Sequence, residues 1–309
     1  MAVLVLSSPL PSAPFADALR AAAPGVPVWT DADTAPADAV EAILAWRMKP
    51  GILPRFPSLR VLCSTGAGVD KLVTVPDLPA GLPVTRVVDP AQATEIAQYV
   101  LACVLQHTRD LPRYAQQQAQ ALWLRHPVRP AAHCRVGVLG LGAVGRTIAA
   151  ACRAVGYPVA GWSRSARAVD GVACAHGMAA LPGFLAQTDI LVCVLPLTDE
   201  TRGLLDRRTL SMLPRGAYLV NVGRGEHVVE ADLHALLDAG HLAGAALDVF
   251  EREPPLPEDW IWSHPQVRAT PHIAAQALAE TVAAQCLDAL HRAREGRPQP
   301  HAVDRGLGY

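Results

Sequence analysis

The sequence lacks an excess of charge of either sign. Its 27 basic and 28 acidic side chains nearly cancel, and charged residues make up only 18% of the chain. That balance leaves no electrostatic footprint for nucleic acid or an anionic membrane surface, and both are excluded as partners. Long apolar runs are missing too: even Ile190 to Leu195 falls far short of the roughly 20 residues of a membrane helix. Met1 to Leu6 has neither the basic start nor the extended apolar core of a secretory leader. There is no C-x-x-C pair among the seven cysteines, an odd number, and most sit in apolar runs such as Ile190-Leu-Val-Cys193-Val-Leu. They read as buried, reduced thiols of a cytoplasmic protein. No solenoid period and no low-complexity tract occurs. What is present is apolar content: a 51% hydrophobic share excludes disorder. With 309 residues the chain suffices for about two domains at roughly 150 residues each.

The first third alternates short apolar runs with helix-compatible segments. Ala2 to Leu6, Val26 to Thr30, Val40 to Trp46 and Leu59 to Cys63 read as strands, and Pro14 to Ala23 as a helix. Near-continuous apolar strands separated by helices point to a parallel sheet covered on both faces. Asp89-Pro90 marks a break, followed by a proline-interrupted helical stretch from Thr94, an N-cap candidate, to about Gln120. A second α/β unit opens at Arg135. Its strands are expected at Val136 to Leu139, Val159 to Trp162, Ile190 to Leu195, Tyr218 to Val222, Gly244 to Val249 and Val267 to Ala269. Val144 to Val155 and Glu230 to Ala239 fit helices, the latter closed by Gly240. Ala275 to about Arg294 is helical again, so segments near 95 and 280 would connect the domains.

The strongest local signal is Val136-Gly-Val-Leu-Gly140-Leu141-Gly142-Ala143-Val144-Gly145, in which a strand runs into G-x-G-x-x-G and a helix follows. Gly140 permits the tight turn, Gly142 lets a pyrophosphate approach the backbone, and Gly145 allows close packing of helix on strand. The next strand refines the cofactor. An acid about 20 residues beyond the glycines would accept the ribose 2′-OH of NAD. Here that place holds Ser163-Arg164-Ser165, with Arg167 just after and no acid before Asp170. Arg164 suits a 2′-phosphate and the serines can donate hydrogen bonds, so NADPH is preferred, with NADH as the alternative.

A hydride acceptor that is a 2-oxoacid needs a cation for its carboxylate, a proton donor for the nascent alkoxide, and a group that keeps the donor protonated. Three strand ends offer these: Asn221-Val222-Gly223-Arg224-Gly225, Asp248-Val-Phe-Glu251-Arg-Glu253-Pro254 and Thr270-Pro271-His272. With the glycine fingerprint and Leu195-Pro196-Leu-Thr198, these motifs resemble the D-isomer-specific 2-hydroxyacid dehydrogenase family over nearly the whole chain. Trp162-Ser-Arg164, Ser64-Thr-Gly-Ala-Gly-Val-Asp70 and the ending Val303-Asp-Arg-Gly-Leu-Gly-Tyr309 narrow the resemblance to the glyoxylate/hydroxypyruvate reductase A subgroup.

The resemblance implies an α/β fold of two Rossmann-like or flavodoxin-like parallel-sheet domains. A cofactor domain, 99–275, would be inserted in a discontinuous substrate domain, 1–98 with 276–309. Arg224 would bind the substrate carboxylate, His272 would be the general acid, and Glu253 would hydrogen-bond His272 and favour its imidazolium. Backbone amides of Ala67 and Gly68 would hold the carboxylate from the other domain. Asp248 would lie near the nicotinamide carboxamide, and Leu195, Pro196, Val222 and Gly223 would contact the cofactor. A homodimer through the cofactor domain and hinge closure over a small 2-oxoacid are also implied.

Departures from the family pattern concern the pocket. Trp260 stands where a proline is common; with Trp262 it would either narrow the pocket or pack between domains. Trp46, with Arg47 and Lys49, would line the other side. His227, His234 and His241 recur every seven residues, but Gly225 and Gly240 bracket that helix and no zinc-type set accompanies them, so no metal is expected. The activity expected is NADPH-dependent reduction of glyoxylate and hydroxypyruvate. Reduction of bulkier 2-oxoacids and a non-enzymatic cofactor-sensing regulator are the competing readings.

Overall fold

Strands buried on both faces carry no polar alternation, which is why the apolar runs of this chain become the inner strands of parallel sheets. A computed structural model describes residues 1–305 and shows two such sheets. The last four residues of the Val303–Tyr309 motif lie outside the described residues. The chain divides into two units, Met1–Pro90 with the stretch from Gln276, and Ala91–Ala275. The sequence reading drew the first boundary at 98/99, a point inside a continuous helix.

The first unit runs β1 (Ala2–Leu6), α1 (Ala13–Ala22), β2 (Val28–Trp29), β3 (Val40–Ala45), β4 (Val61–Ser64), α2 (Asp70–Val73) and β5 (Val84–Thr85). Its parallel sheet has the order β2-β1-β3-β4-β5. Alternate residues of one strand serve opposite faces: Val3 and Val5 pack with Phe15 and Leu19 of α1, while Leu4 packs with Ile43, Leu62 and Leu72.

The second unit opens with α3 (Pro90–Thr108) and α4 (Leu111–Ala119). Thr94 is therefore not an N-cap. Pro90 begins the helix four residues earlier, where its missing N–H costs nothing and its φ is already helical. The expected single stretch to Gln120 is broken at Asp110, whose left-handed φ of 52° ends one helix and starts the next. There follow β6 (Val136–Leu139), α5 (Ala143–Ala154), β7 (Val159–Ser163), β8 (Ala173–His176), α6 (Leu181–Leu185) and β9 (Ile190–Cys193). The unit ends with α7 (Arg207–Leu210), β10 (Ala217–Asn221), α8 (Glu230–Asp238), β11 (Leu242–Leu247) and β12 (Val267–Ala269).

All strands of this sheet are parallel, in the order β12-β11-β10-β9-β6-β7-β8. The chain winds outward from β6 through β7 to β8, then crosses back to β9. The Rossmann order thus has its switch point between β6 and β9, where ligands of open α/β sheets bind at the carboxyl ends of the strands. α8 closes as expected on Gly240 (φ +59°): its amide donates to Leu237 O and that of His241 to Leu236 O, which satisfies the last carbonyls.

The chain then returns to the first unit as α9 (Ala279–Arg294), four residues later than expected, and lays Val282, Cys286 and Leu290 on the face already occupied by α1. Among the described residues no helix is long and apolar enough to cross a membrane. All seven cysteines are unpaired, and six are buried.

Candidate active site

The five loops that leave β6, β7, β9, β10 and β11 at their carboxyl ends, with the one after β12, carry the residues singled out in the second unit. At β6 the chain turns sharply through Gly140, whose φ of +107° is left-handed. Gly145 then lies so close to that turn that a Cβ would sit 1.7 Å from Gly140 O, so no other residue fits. Above Gly142 there is open space, with nothing within 4 Å of an added Cβ. Gly142, Ala143 and the half-buried Val144 begin α5, whose first amides point to that space, and Leu141 is buried beneath. An open helix N-terminus over a glycine is a cradle a pyrophosphate fits.

At the tip of β7, Trp162 is anchored by its indole N–H to Gly177 O (2.9 Å), and the Ser163 hydroxyl donates to Ser165 O (2.8 Å). Ser163 therefore shapes the turn, while Arg164, Ser165 and Arg167 are exposed. Arg164 lies 3.7 Å from Glu200, which follows the buried Leu195 and exposed Pro196 on the loop after β9.

The turn after β10 is built from the backbone outward. Asn221, fully buried, donates from Nδ2 to Arg224 O (2.9 Å) and accepts the Gly223 amide on Oδ1 (3.1 Å), with Val222 buried between them. Gly225 is obligatory, because a Cβ there would meet the backbone of Phe250 at 1.8 Å. That contact presses the Arg224 turn against the segment leading to Glu253. The guanidinium of Arg224 donates to Gly223 O (2.8 Å) and is half-buried.

Glu253 and His272 meet. His272 Nδ1 lies 3.0 Å from Oε2 and 3.2 Å from Oε1 of Glu253, and the Phe250 amide donates to Oε1 as well. Burial alone would raise the carboxyl pKa of Glu253. The His272 hydrogen bond and charge, the Phe250 amide and the Arg224 charge outweigh it and hold the group below its usual value. Arg224, Glu253 and His272 are thus brought to one place in this unit.

His272 has a left-handed φ of 56°, which costs a non-glycine residue roughly 1–2 kcal/mol. Asp248 holds the loop against that cost. The Asp248 carboxylate, 1% exposed, accepts the Thr270 hydroxyl (2.5 Å), the Ile273 amide (2.9 Å) and the Ala274 amide (2.8 Å). Hydrogen bonds to a charged group contribute about 1.5–3 kcal/mol each, so three of them exceed the backbone penalty. Tyr99 of α3 extends the chain, its hydroxyl 2.6 Å from Thr270 Oγ1. Burial, ahead of any other cause, pushes that phenol well above its ordinary pKa, so it remains a neutral donor. Both oxygens of Asp248, the residue that the resemblance places near the nicotinamide carboxamide, anchor the His272 loop.

In the first unit, Ser64 at the end of β4 accepts the Gly66 amide (3.1 Å) and donates to Gly68 O (3.0 Å), closing the loop through Ala67. The ring of Trp46 covers Gly66 so tightly that a Cβ there would lie 2.7 Å from it. Trp46 therefore packs on the loop that carries Ala67 and Gly68.

The histidines behave differently from a heptad row. His227 and His241 fall outside α8, and His234 instead faces Asp238 and His264, each imidazole Nε2 3.5 Å from a carboxylate oxygen. These three could gather round an ion. His264 Nδ1, however, accepts the Gln266 amide (3.2 Å), which leaves the proton of the neutral ring on Nε2, the atom a metal would need. Trp260 stacks on His234 (centroids 4.2 Å apart, 13° between planes) and so packs on α8; Trp262 is exposed and donates to Leu256 O. Sequence reasoning missed Tyr99, the contacts that Thr270 and Glu200 make, and the packing role of His227. Thr270 and Glu200 stand in motifs and His227 lies two residues beyond the Arg224-Gly225 pair, but Tyr99 has no signal.

Residues 101–274 match the family model described as D-isomer specific 2-hydroxyacid dehydrogenase, NAD binding domain. The chain is 36% identical to glyoxylate/hydroxypyruvate reductase A of Yersinia enterocolitica over 288 residues, 91% of this chain and 90% of that one. Its structure is similar to that of a D-isomer specific 2-hydroxyacid dehydrogenase from Xanthobacter autotrophicus Py2 in complex with NADPH and MES. The TM-score is 0.91, with 42% identity and coverage of 100% and 99% of the two chains. It is also similar to an NADPH-dependent glyoxylate/hydroxypyruvate reductase from Sinorhizobium meliloti bound to NADP and sulfate, with a TM-score of 0.92, 34% identity and both chains covered in full.

Proposed function

Because the chain belongs to the D-isomer specific 2-hydroxyacid dehydrogenase family, we propose that it reduces small 2-oxoacids with NADPH, glyoxylate to glycolate and hydroxypyruvate to D-glycerate. The observation that carries this reading is the meeting of Glu253 with His272 beside the Arg224 turn. The names of the Yersinia and Sinorhizobium relatives support the substrate class, and the NADPH- and NADP-bound structures support the cofactor.

In this reading the cofactor lies over Gly140–Gly145. Its pyrophosphate is at the start of α5, its 2′-phosphate is at Arg164 with Ser165 and Arg167, and Leu195, Pro196, Val222 and Gly223 line its nicotinamide end. The reduced nicotinamide supplies the hydride. Arg224 binds the oxoacid carboxylate and draws electron density toward the keto oxygen, and in the substrate domain the amides of Ala67 and Gly68, with Trp46, are the groups assigned to oxoacid binding. His272 delivers a proton from Nε2 to that oxygen, since its Nδ1 is held by Glu253. Glu253, kept ionised, stabilises the imidazolium before the transfer and fixes the ring plane during it. Residues 276–309 with the N-terminal segment form the substrate domain of the proposal, and the inserted unit is its cofactor domain.

A homodimer is part of the same proposal. Trp123 is 91% exposed, and Leu111, Leu122, Leu124 and Val128 near it in sequence are each about half exposed. An apolar stretch of this kind fits a second copy of the chain. Sedimentation of wild type as a dimer and of Trp123→Arg as a monomer is the expected result. The seven thiols fit a cytoplasmic setting.

Loss of NADPH absorbance with glyoxylate, hydroxypyruvate, pyruvate and phenylpyruvate tests the activity. The first two should be turned over best. Preference for phenylpyruvate would shift the reading to bulkier acids, and cofactor binding without turnover of any of the four would point to a regulator.

A further inference from the structure

His227 has no part in the chemistry described above, yet it is fully buried at the centre of the site's scaffold. It closes the short turn Gly225–His227, directly after Arg224. Its Nδ1 accepts the Arg224 amide at 3.0 Å and stands 3.0 Å from the Arg224 carbonyl. Its Nε2 stands 3.3 Å from the carbonyl of Pro196. An imidazole that accepts at Nδ1 carries its proton on Nε2, so the neutral ring donates to Pro196. When the ring is protonated, Nδ1–H has the Arg224 carbonyl within reach, and both nitrogens remain satisfied. Burial opposes that proton, but the nearby Cys193 and the carbonyls of Pro196 and Arg224 outweigh it and raise the imidazole above its ordinary pKa. The neutral ring therefore holds the Arg224 backbone through its amide, and the protonated ring, no longer an acceptor at Nδ1, holds it through its carbonyl. Gly223 makes room for it, since a Cβ there would lie 3.1 Å from the ring.

One side chain thus joins two loops from neighbouring strands: the loop after β10, which carries Arg224, and the loop after β9, which carries Leu195 and Pro196. We propose that His227 is a positioning residue for oxoacid binding, setting the backbone of Arg224, and with it the direction of the guanidinium, from the Pro196 loop. This rests on the reading of Arg224 as the carboxylate's partner. The acceptor for the Arg224 amide is what oxoacid binding requires of this position, while the bond to the Pro196 carbonyl holds the ring itself; general bulk is not enough.

Three substitutions separate those requirements. In His227→Asn, Oδ1 takes the place of Nδ1 and keeps the acceptor for the Arg224 amide. In His227→Gln, the amide reaches toward Pro196 O but leaves the Arg224 amide without its acceptor. His227→Leu supplies neither. We expect the KM for glyoxylate to stay within about threefold of wild type for Asn and to rise about tenfold or more for Gln and Leu, the scale of one lost buried hydrogen bond. The Kd for NADPH, read by fluorescence, should stay within about threefold in all three.

A wild-type KM in Gln and Leu overturns the proposal. So does an Asn variant as impaired as Leu, or a loss of NADPH affinity in step with KM, which would mark general damage to the loops. Should Leu fail to fold, the Asn and Gln pair decides. If the wild-type protein turns over no oxoacid, the functional reading fails and His227 is judged by ring ¹⁵N shifts at alkaline pH. A proton on Nε2 with Nδ1 bare is expected, and a proton on Nδ1 overturns the placement.

Discussion

Arg164 and Arg224 each stand at the tip of a strand in the same sheet, and the protein holds them in opposite ways. The turn of Arg224 is fixed by Asn221, by the contact of Gly225 with Phe250 and by the ring of His227, all buried. The turn of Arg164 is exposed, and its ion pair with Glu200 is half or more in water. A guanidinium that must meet a small reacting carboxylate is preorganised, because a displacement of about 1 Å there can cost 10²-fold in rate. A guanidinium that meets a phosphate far from the reaction can afford mobility. On the proposed reading, rigid chemistry and adaptable anchorage are thus divided between the tips of β10 and β7, which β9 and β6 separate in the sheet.

The contrast predicts a graded set of effects. The largest belongs to the rigid side: His272→Ala should lower turnover by about 10²–10⁴, the contribution of a positioned acid, with NADPH binding unchanged. Arg224→Ala should lower kcat/KM on a similar scale and raise KM too; a near-normal rate in either variant would remove that residue from the mechanism. On the adaptable side, Arg164→Ala should weaken NADPH by about 1–3 kcal/mol in titration and leave NADH nearly untouched, and equal losses would erase the distinction.

A smaller effect is set by pH. The carboxyl of Glu253 is held below its usual 4.5, so its pairing stabilises the fold fully above that pH and is lost as pH falls through the lower folded value. Denaturant midpoints of wild type should therefore lie apart from those of Glu253→Gln above the usual 4.5 and draw together as pH falls below it. The smallest concerns Glu200→Gln. Exposed ion pairs contribute only about 0.2–1 kcal/mol, so NADPH should bind at most about fivefold tighter, with no gain for NADH.

What the sequence made legible follows the same division between backbone and side chain. Gly140 and Gly145 could be read because their geometry admits no other residue, and the strands they join are uniformly apolar. β8 went unseen because Ala173–His176 is a half-exposed edge strand without an apolar run, and β5 because two residues make no pattern. Thr94 misled because a cap residue was sought where proline at the first position sufficed. In the site, Arg224, Glu253 and His272 stood out through motif order. Their supports did not: Thr270 and Tyr99 are 171 residues apart, and His227 binds backbone atoms, which no residue type announces. Asp248 was named only through resemblance, and its three hydrogen bonds to the His272 loop join residues that no local pattern links to it.

The left-handed backbone at His272 has a consequence for anyone seeking a hardier protein. Glycine, or to a lesser degree asparagine, would relieve that conformation, and a search for thermal tolerance would reward either change at this position. The resulting chain would gain from the relaxed backbone and lose the partner of Glu253. On the proposed reading it would also give up most of its turnover, so backbone ease and chemistry are set against each other at a single residue.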